Sequence, residues 1–310
     1  MMNNKYMSAI STPEYDHVFW NALRGKAADV TRLEAGKLRN VNTYGLPSSD
    51  EKQMEEELKK ESLPRRITTM IYALGNEFTI MQRDTEDTAA WVKEGASIPI
   101  YDGINDFERN NIGFFKLAGI TKFDQDFTRD ATFNFRKYLM DRIAKTMGRS
   151  EEEAFIVGDG LKMPTGITHP EKGAMVEVTT TELSYDDVIK LFFSQEAEYR
   201  DRARFIMNDQ TALQLRKLKD ADGNYLWRSS DDTILGKPVT ISNFMPNAEA
   251  GKMPLVFADT SYYWWVIRKT ISIRALIEKF AANDQIGYLS MEFLDGKLVR
   301  RKAAKAIQIG

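Results

Sequence analysis

The strongest constraint in this sequence is a long run with helical periodicity near its middle. Between Asp126 and Val157, apolar residues recur at four-residue steps and then continue toward the end of the run: Phe135, Leu139, Ile143, Met147, Ala154 and Phe155. Residues at this spacing fall on one side of an α-helix. We therefore expect a spine helix of about 30 residues and roughly 45 Å, around which the rest of the chain must pack.

The N-terminal segment has the signals of short helices but little apolar surface of its own. Thr12 can cap a helix whose apolar stripe includes Phe19, and a charged helix follows at 51–60. We interpret residues 1–65 as an arm whose stripe docks on another surface. We expect the remaining chain to fold even when residues 1–30 are removed.

The stretch between the arm and the spine helix is rich in β-forming residues. Two runs, RITTMIYAL and EFTIMQ, are separated by Gly75-Asn76, a pair that favours a tight hairpin turn. Two further extended segments flank polar residues at 102–111. This arrangement predicts a long protruding hairpin.

Strands and helices alternate after the spine helix, and this mixed order predicts an α+β protein. The chain ends in two β-like runs about Asp295-Gly296. The formal net charge is -2, which argues against a protein that grips nucleic acid by charge, so we expect no basic stripe. The basic segment RRKAAK at 300–305 is interpreted as a solvated strand edge.

The sequence offers few groups for catalysis or metal binding. It contains no cysteine, and its two histidines, His17 and His169, are far apart, so the common zinc patterns fail. No G-x-S-x-G elbow and no complete phosphate-binding glycine pattern is present. We expect no catalytic residue, no cofactor and no metal. No window approaches the roughly 18 apolar residues of a membrane span, so no membrane is expected as a partner.

The segment EEEAFIVGDGLKMPTGI, residues 151–167, looks like a catalytic loop but is better explained as a corner. Its three glutamates are consecutive, so on a helix they point in different directions, and we interpret them as a solvated or salt-bridged surface. We expect the first glycine to end the spine helix in a left-handed conformation. The predicted helix-end turn comprises Gly158, Asp159, Gly160, Pro164 and Gly166.

Five segments, in order, resemble the major capsid proteins of tailed bacteriophages with the Hong Kong 97 fold. The corner segment is similar to the family's acidic helix end, apolar pair, Gly-x-Gly and Pro-x-Gly-Ile. FIMNDQTALQLRKLKDADGNYLW, residues 205–227, is similar to its run of Asn, Leu-x-x-Leu-x-Asp and Gly-x-Tyr-Leu. The other three are AAWVKEGASIP, ILGKPVTISNFMP and PLVFADTSYYWWVIR. Together they cover most of residues 66–310.

The resemblance implies how the chain is divided. The parts are an N-terminal arm (1–65), a first part of the peripheral domain (66–87), an extended hairpin called the E-loop (88–122), the peripheral domain with the spine helix (123–183), an axial domain (184–286), and C-terminal strands that return to the peripheral domain (287–310).

The resemblance also implies a function. Subunits of this family form pentamers and hexamers, which close an icosahedral shell around double-stranded DNA. The shell is assembled in the bacterial host cytoplasm, becomes the virion capsid, and encloses the DNA without sequence-specific binding. Portal, scaffolding and protease proteins are the partners expected during assembly. Apolar residues of the arm and hairpin are expected to be buried on neighbouring subunits: Phe19, Trp20, Trp91, Phe114 and Phe115.

Two alternatives stay open. An encapsulin-like bacterial compartment would have the same fold and enclose a cargo protein, and it predicts an apolar pocket for the cargo's tail. A carboxylate-dependent hydrolase would bring acids such as Glu153 and Asp159 together in a concave pocket, and it predicts that turnover is lost when they are mutated.

Overall fold

The computed structural model of the chain describes residues 11–26, 28–30, 33, 44–73, 78–83, 90–95, 97–98, 100, 107–130, 132–227 and 232–310. These residues form a five-stranded sheet, a six-stranded sheet and a separate two-stranded hairpin, together with helices that cover the sheets. The architecture is α+β.

The helices in the described residues are α1 (Pro13–Leu23), α2 (Ser48–Glu61), α3 (Leu63–Ile67), α4 (Gln125–Arg129), α5 (Phe135–Val157), α6 (Tyr185–Ser194), α7 (Ala197–Arg200) and α8 (Asp209–Arg216). The strands are β1 (Tyr44–Gly45), β2 (Thr69–Tyr72), β3 (Phe78–Arg83), β4 (Phe107–Ile112), β5 (Phe115–Asp124), β6 (Met175–Thr180), β7 (Arg204–Met207), β8 (Thr233–Ile234), β9 (Lys237–Ile241), β10 (Leu255–Ala258), β11 (Tyr263–Leu276), β12 (Gln285–Leu298) and β13 (Ala304–Ile309). Short 3-10 turns lie at Thr260–Tyr262, Glu278–Asn283 and Arg301–Ala303.

The helix α5 is the spine helix, and it is shorter than predicted. It spans 23 residues because Asn134 caps its first turn, with the side-chain oxygen accepting the Lys137 N–H. The residues before it form the separate short helix α4. The predicted start at Asp126 is therefore wrong, although the apolar residues that define the helix begin at Phe135, where the helix begins.

The five-stranded sheet carries the spine helix on one face. The strand order is β1-β11-β12-β5, and β2 pairs with β11 in parallel. The long strands β11 and β12 form an antiparallel pair, and β5 pairs with β12. Buried side chains from the helix and the strands form one core, which includes Leu139, Ile143, Ile273 and Tyr288.

The strands on either side of Gly75-Asn76 do not pair with each other, so the predicted tight hairpin there is wrong. β2 pairs with β11, whereas β3 pairs with β4. Non-local pairing buries Ala73 beside Val266, and this burial outweighs the local turn preference. Gly75 and Asn76 themselves lie outside the described residues.

The described part of the predicted hairpin is the pair of strands β3 and β4. We call the connecting residues 84–106 the hairpin tip; of these, the structure describes 90–95, 97–98 and 100. The register of β3 and β4 runs from Phe78 paired with Ile112 to Arg83 paired with Phe107. The hairpin thus begins before the predicted E-loop at 88–122, and β5, which falls inside that predicted range, belongs to the five-stranded sheet.

The six-stranded sheet has the order β6-β13-β10-β7-β9-β8. One of its faces packs against α6 and α8, and the other packs against the C-terminal end of the spine helix and β11. In this sheet β13 lies between β6 and β10, whereas β11 belongs to the five-stranded sheet. The division into an axial domain at 184–286 and peripheral strands at 287–310, which the resemblance implies, stays a prediction.

The segment 300–305 is solvated at Arg301 and Lys302, which are exposed in a 3-10 turn, but it is not a strand edge. Its last residue, Lys305, is 7% exposed in β13, and its Nζ forms an ion pair with the Glu177 carboxylate of β6. Ala304 and Ala306 are fully buried. A strand with neighbours on both sides and both faces covered needs its lysine charge paired, and Glu177 provides that partner.

Candidate assembly surfaces

The two arm aromatics lie in the core of their own subunit. Phe19 is 0% and Trp20 is 7% exposed, in the core cluster that α1 forms with α2, the spine helix and the five-stranded sheet. The expectation that a neighbouring subunit buries them is therefore wrong. The reason is that the chain itself supplies apolar surface for α1, including Met54 and Leu58 of the charged helix α2.

Polar contacts fix the arm helix in place. The Trp20 indole N–H donates to Asp50 Oδ2 at 2.8 Å, and the Arg136 guanidinium donates to Asp50 Oδ1 and to Asp16 Oδ1 at 2.9 Å. The same guanidinium lies 5.1 Å from the Trp20 ring centroid. These residues are up to 120 positions apart, which explains why no local sequence pattern revealed the network.

The hairpin tip, unlike the arm helix, exposes large apolar side chains. Trp91 is fully exposed, and Ile98 and Ile100 are 77% and 96% exposed. The tip sequence at 84–106 contains six carboxylate residues and a single lysine, Lys93. Large apolar side chains clustered on a surface are typical of contact sites. The tip therefore combines apolar contact residues with strong negative charge.

The two phenylalanines at the foot of the hairpin are half-buried. Phe114 packs on the small cluster around Val266, and the Arg268 guanidinium lies 5.3 Å from its ring centroid. Phe115 begins β5 and pairs with Leu294 of β12. Their own subunit covers part of each ring, so they differ from Trp91.

The face of the five-stranded sheet opposite the spine helix is partly open. Along β5 the residues alternate between half-buried and exposed, and Ile120 is 46% exposed. The register places Ile120 beside Leu289 and Ala118 beside Met291. Basic residues occupy adjacent register positions on this face: Lys116, Lys122, Lys269 and Arg274. We call these four apolar and four basic residues the open sheet face.

A buried carboxylate joins β12 to the foot of the hairpin. Asp295 is 8% exposed, its Oδ1 accepts the Gly296 N–H at 2.7 Å, and its carboxylate also accepts the Gly113 N–H between β4 and β5. Burial raises the pKa of Asp295 to about 6, although both hydrogen bonds act to lower it. The contact fixes where the hairpin leaves the subunit.

A buried charge cluster joins the end of the arm to the spine helix. Arg65 of α3 donates to Glu151 Oε1 at 2.6 Å and Oε2 at 2.8 Å, and to Glu292 Oε1 at 2.6 Å. The Ser62 hydroxyl donates to Glu151 Oε2 at 2.6 Å. Glu151 is 0% and Glu292 1% exposed.

This cluster places two carboxylates on one guanidinium. Burial raises the pKa of Glu292 to about 8; the Arg65 charge acts against this shift and the Glu151 charge adds to it. Of the three glutamates interpreted as a solvated or salt-bridged helix surface, Glu151 is salt-bridged but buried, so its predicted surface position is wrong. Consecutive helical residues point in different directions, and here Glu151 faces the core, where Arg65 makes a carboxylate tolerable.

The residues after the spine helix form a tight corner. Gly158 has a φ of -58°, so the expected left-handed conformation is wrong there; Gly160, at +65°, adopts it. Gly158 is required for lack of space, because a Cβ on it would lie 1.9 Å from the Pro164 carbonyl oxygen. Gly166 donates its N–H to the Gly158 carbonyl at 2.9 Å. Asp159 Oδ1 accepts two backbone N–H groups at 2.9 Å each, which lowers its pKa.

The described residues provide little else for chemistry. His17 is exposed beside Asn21, and His169 Nδ1 accepts the backbone N–H of Glu171 at 3.2 Å. Within the described ranges, no group of three or more histidine, aspartate or glutamate side chains could hold a metal ion. No helix in that part of the chain has the length and apolarity needed to cross a membrane.

In the described residues, buried charged groups join the elements, and exposed apolar side chains lie on the hairpin tip and elsewhere on the surface. These features are typical of a structural protein. The comparisons with known proteins agree: the chain belongs to the phage capsid family, whose model matches residues 42–309. It is a major capsid protein, which forms the shell of the phage head.

Solved structures with the same fold support this assignment. The capsid of a native GTA particle, computed with C5 symmetry, shares 25% identity and covers 88% of this chain and 95% of its own, with a TM-score of 0.67. A chain of Microbacterium phage Oxtober96 shares 15% identity over 91% of this chain and 98% of its own, with a TM-score of 0.60. A chain of Mycobacterium phage Cain shares 16% identity over 81% and 90%, with a TM-score of 0.58. No curated protein sequence matches significantly.

Proposed function

We propose that the hairpin tip of each subunit binds the open sheet face of a neighbouring subunit, and that this repeated contact builds the shell. The observation that supports the proposal is complementarity. The tip has an exposed Trp91 and six carboxylate residues in its sequence, and the open sheet face presents apolar residues such as Ile120 between lysines.

The energetics favour such a contact. A tryptophan buries about 150–250 Å², and at about 25 cal/mol per Å² this corresponds to roughly 4–6 kcal/mol before the entropy of association is subtracted. The opposite charges around the contact orient the two subunits and raise the rate of association more than they raise the affinity. Because the tip and the face are different surfaces, the contact is head to tail, and such contacts close into rings when their rotation allows.

We extend the proposal to the whole particle. The subunit is arranged in the Hong Kong 97 manner, forms pentamers and hexamers, and closes an icosahedral shell around double-stranded DNA in the host cytoplasm. Portal, scaffolding and protease proteins take part in assembly. The protein is not an enzyme: Asp159, the acid considered for hydrolysis, is held by backbone N–H groups at the corner, which supports a structural role.

Electron microscopy and sedimentation of a matched pair of variants test the tip. Trp91→Ser removes an exposed ring from the tip, and Leu161→Ser removes a side chain that is 82% exposed on the corner. We expect folded subunits from both and shells from the second only. Normal shells from Trp91→Ser would contradict the proposed contact.

A further inference from the structure

The outward side of the spine helix carries a row of positive charge that the proposed function leaves unused. Arg142, Lys145 and Arg149 are all exposed, and their three- and four-residue steps place them on one side of α5. We call them the basic stripe. The expectation of no such stripe is therefore wrong. A net charge of -2 is a sum over the whole chain, and here positive charge lies along the spine helix while the hairpin tip is rich in negative charge.

In the part of the chain that the structure describes, two exposed carboxylates lie near the stripe without an ion pair to it: Glu153 follows Arg149 by four residues on the same helix, and Glu61 of α2 lies beside Gly148. Among the described residues, no carboxylate forms an ion pair with any of the three side chains, whereas Lys60 of the adjacent helix pairs with Glu57 at 2.7 Å. At the end of the stripe, Glu152 accepts the Ser242 hydroxyl at 2.6 Å. Asp141, next to Arg142 in sequence, is half-buried and lies near Lys60 of α2.

Like charges at this spacing repel one another and weaken a helix. A polyanion laid along the helix would remove that repulsion. The stripe extends about 10 Å, from the rise of 1.5 Å per residue. Duplex DNA carries one phosphate charge per about 1.7 Å of its axis, so a segment of this length faces several phosphates.

We propose that the basic stripe contacts the phosphate backbone of the enclosed duplex DNA without reading its sequence. The inference rests on the proposed function, in which the shell encloses DNA. The acidic hairpin tip of a second copy is the competing partner, but Trp91, Ile98 and Ile100 require an apolar surface, which three charged side chains do not offer. The stripe also lies on the far side of the spine helix from the open sheet face, so both surfaces can be occupied together.

A salt titration of DNA binding tests the stripe. Purified full-length subunits are mixed with a labelled duplex of about 30 base pairs between about 50 and 200 mM salt, where phosphate contacts are most sensitive. The variant is Arg142→Gln, Lys145→Gln and Arg149→Gln together. The control is Lys162→Gln, Lys172→Gln and Lys252→Gln, which removes the same charge from three exposed positions elsewhere.

The plot of log K for DNA binding against log salt has a negative slope, and loss of three phosphate contacts makes that slope shallower by about 2 to 3. We expect the affinity at low salt to fall about tenfold or more. The control keeps the wild-type slope. Equal binding by both triple variants and the wild type would overturn the inference.

Electron microscopy separates this inference from the proposed function. The stripe variant is expected to form normal shells. If it folds by circular dichroism but forms no shells, the stripe is a contact between copies and the DNA inference fails. If intact wild-type shells bind added duplex as well as free subunits do, the stripe faces outward and the inference also fails. Failure of wild-type subunits to form shells would count against the proposed function alone.

Discussion

The arm helix and the hairpin tip both carry prominent aromatic residues, yet these side chains lie in different environments. Phe19 and Trp20 are buried in their own subunit, while Trp91 is fully exposed. The difference lies in the surface that the rest of the chain offers. The arm helix packs on Met54 and Leu58 and is held by Asp50 and Arg136, whereas no other part of the described chain covers Trp91. An apolar segment is therefore available for contacts between subunits only when its own chain offers no surface that buries it.

The largest expected effect comes from truncating the arm aromatic. Phe19→Ala is expected to lower the free energy of unfolding by about 3–5 kcal/mol, because it opens a cavity in a fully packed core. Urea unfolding of the subunit measures this. Trp91→Ala, the matched control on the tip, is expected to change it by less than about 0.5 kcal/mol. Similar losses of unfolding free energy in the two variants would contradict the difference between the arm helix and the hairpin tip. Deleting residues 1–30 is expected to unfold the subunit, which replaces the expectation drawn from the sequence.

A second large effect is expected at the buried charge cluster. Arg65→Met leaves Glu151 and Glu292 buried without their cation, and the expected cost is about 3–5 kcal/mol of unfolding free energy. Arg66→Met is the control, since Arg66 is the next residue and is exposed; less than about 0.5 kcal/mol is expected there. Equal midpoints in urea for the two variants would show that the cluster does not anchor the arm.

A smaller effect is expected from pH. The folded-state pKa of Glu292, about 8, and of Asp295, about 6, both lie above the ordinary carboxyl values of 4.5 and 3.8. A group with a raised pKa contributes stability that is complete below its unfolded pKa and is lost as pH rises through its folded pKa. Through these two groups, the free energy of unfolding falls as pH rises from about 4 to about 8.

Urea midpoints across this pH range, compared between the wild type and Glu292→Gln, measure that contribution. The amide cannot ionise, so the variant is expected to lose less stability than the wild type between about pH 4.5 and 8. Identical pH profiles would mean that Glu292 is not protonated in the folded subunit.

Sequence patterns predicted the parts of this fold that depend on local spacing. The spine helix follows from Phe135, Leu139 and the apolar residues after them, and the corner lies where Gly158 and Pro164 indicated. The resemblance of five segments also gave the family that the comparisons show.

The errors concern pairings between distant residues. Glu151 is buried because Arg65, 86 positions away, binds it, and Lys305 is buried because Glu177, 128 positions away, pairs with it. The contacts of the arm helix are of the same kind. The basic stripe was missed for a different reason: its residues are spaced along the sequence, and only a helix brings them into line.

The most direct test of the account uses two variants with complementary defects. Trp91→Ser has an altered tip and an intact open sheet face, and Ile120→Glu has an intact tip and an altered face. Each should stay a 35.5 kDa monomer alone, and their mixture should form a one-to-one complex through the single intact tip and face, measured by native mass spectrometry. If Ile120→Glu alone assembles like the wild type, or the mixture yields no complex, the tip does not bind the open sheet face.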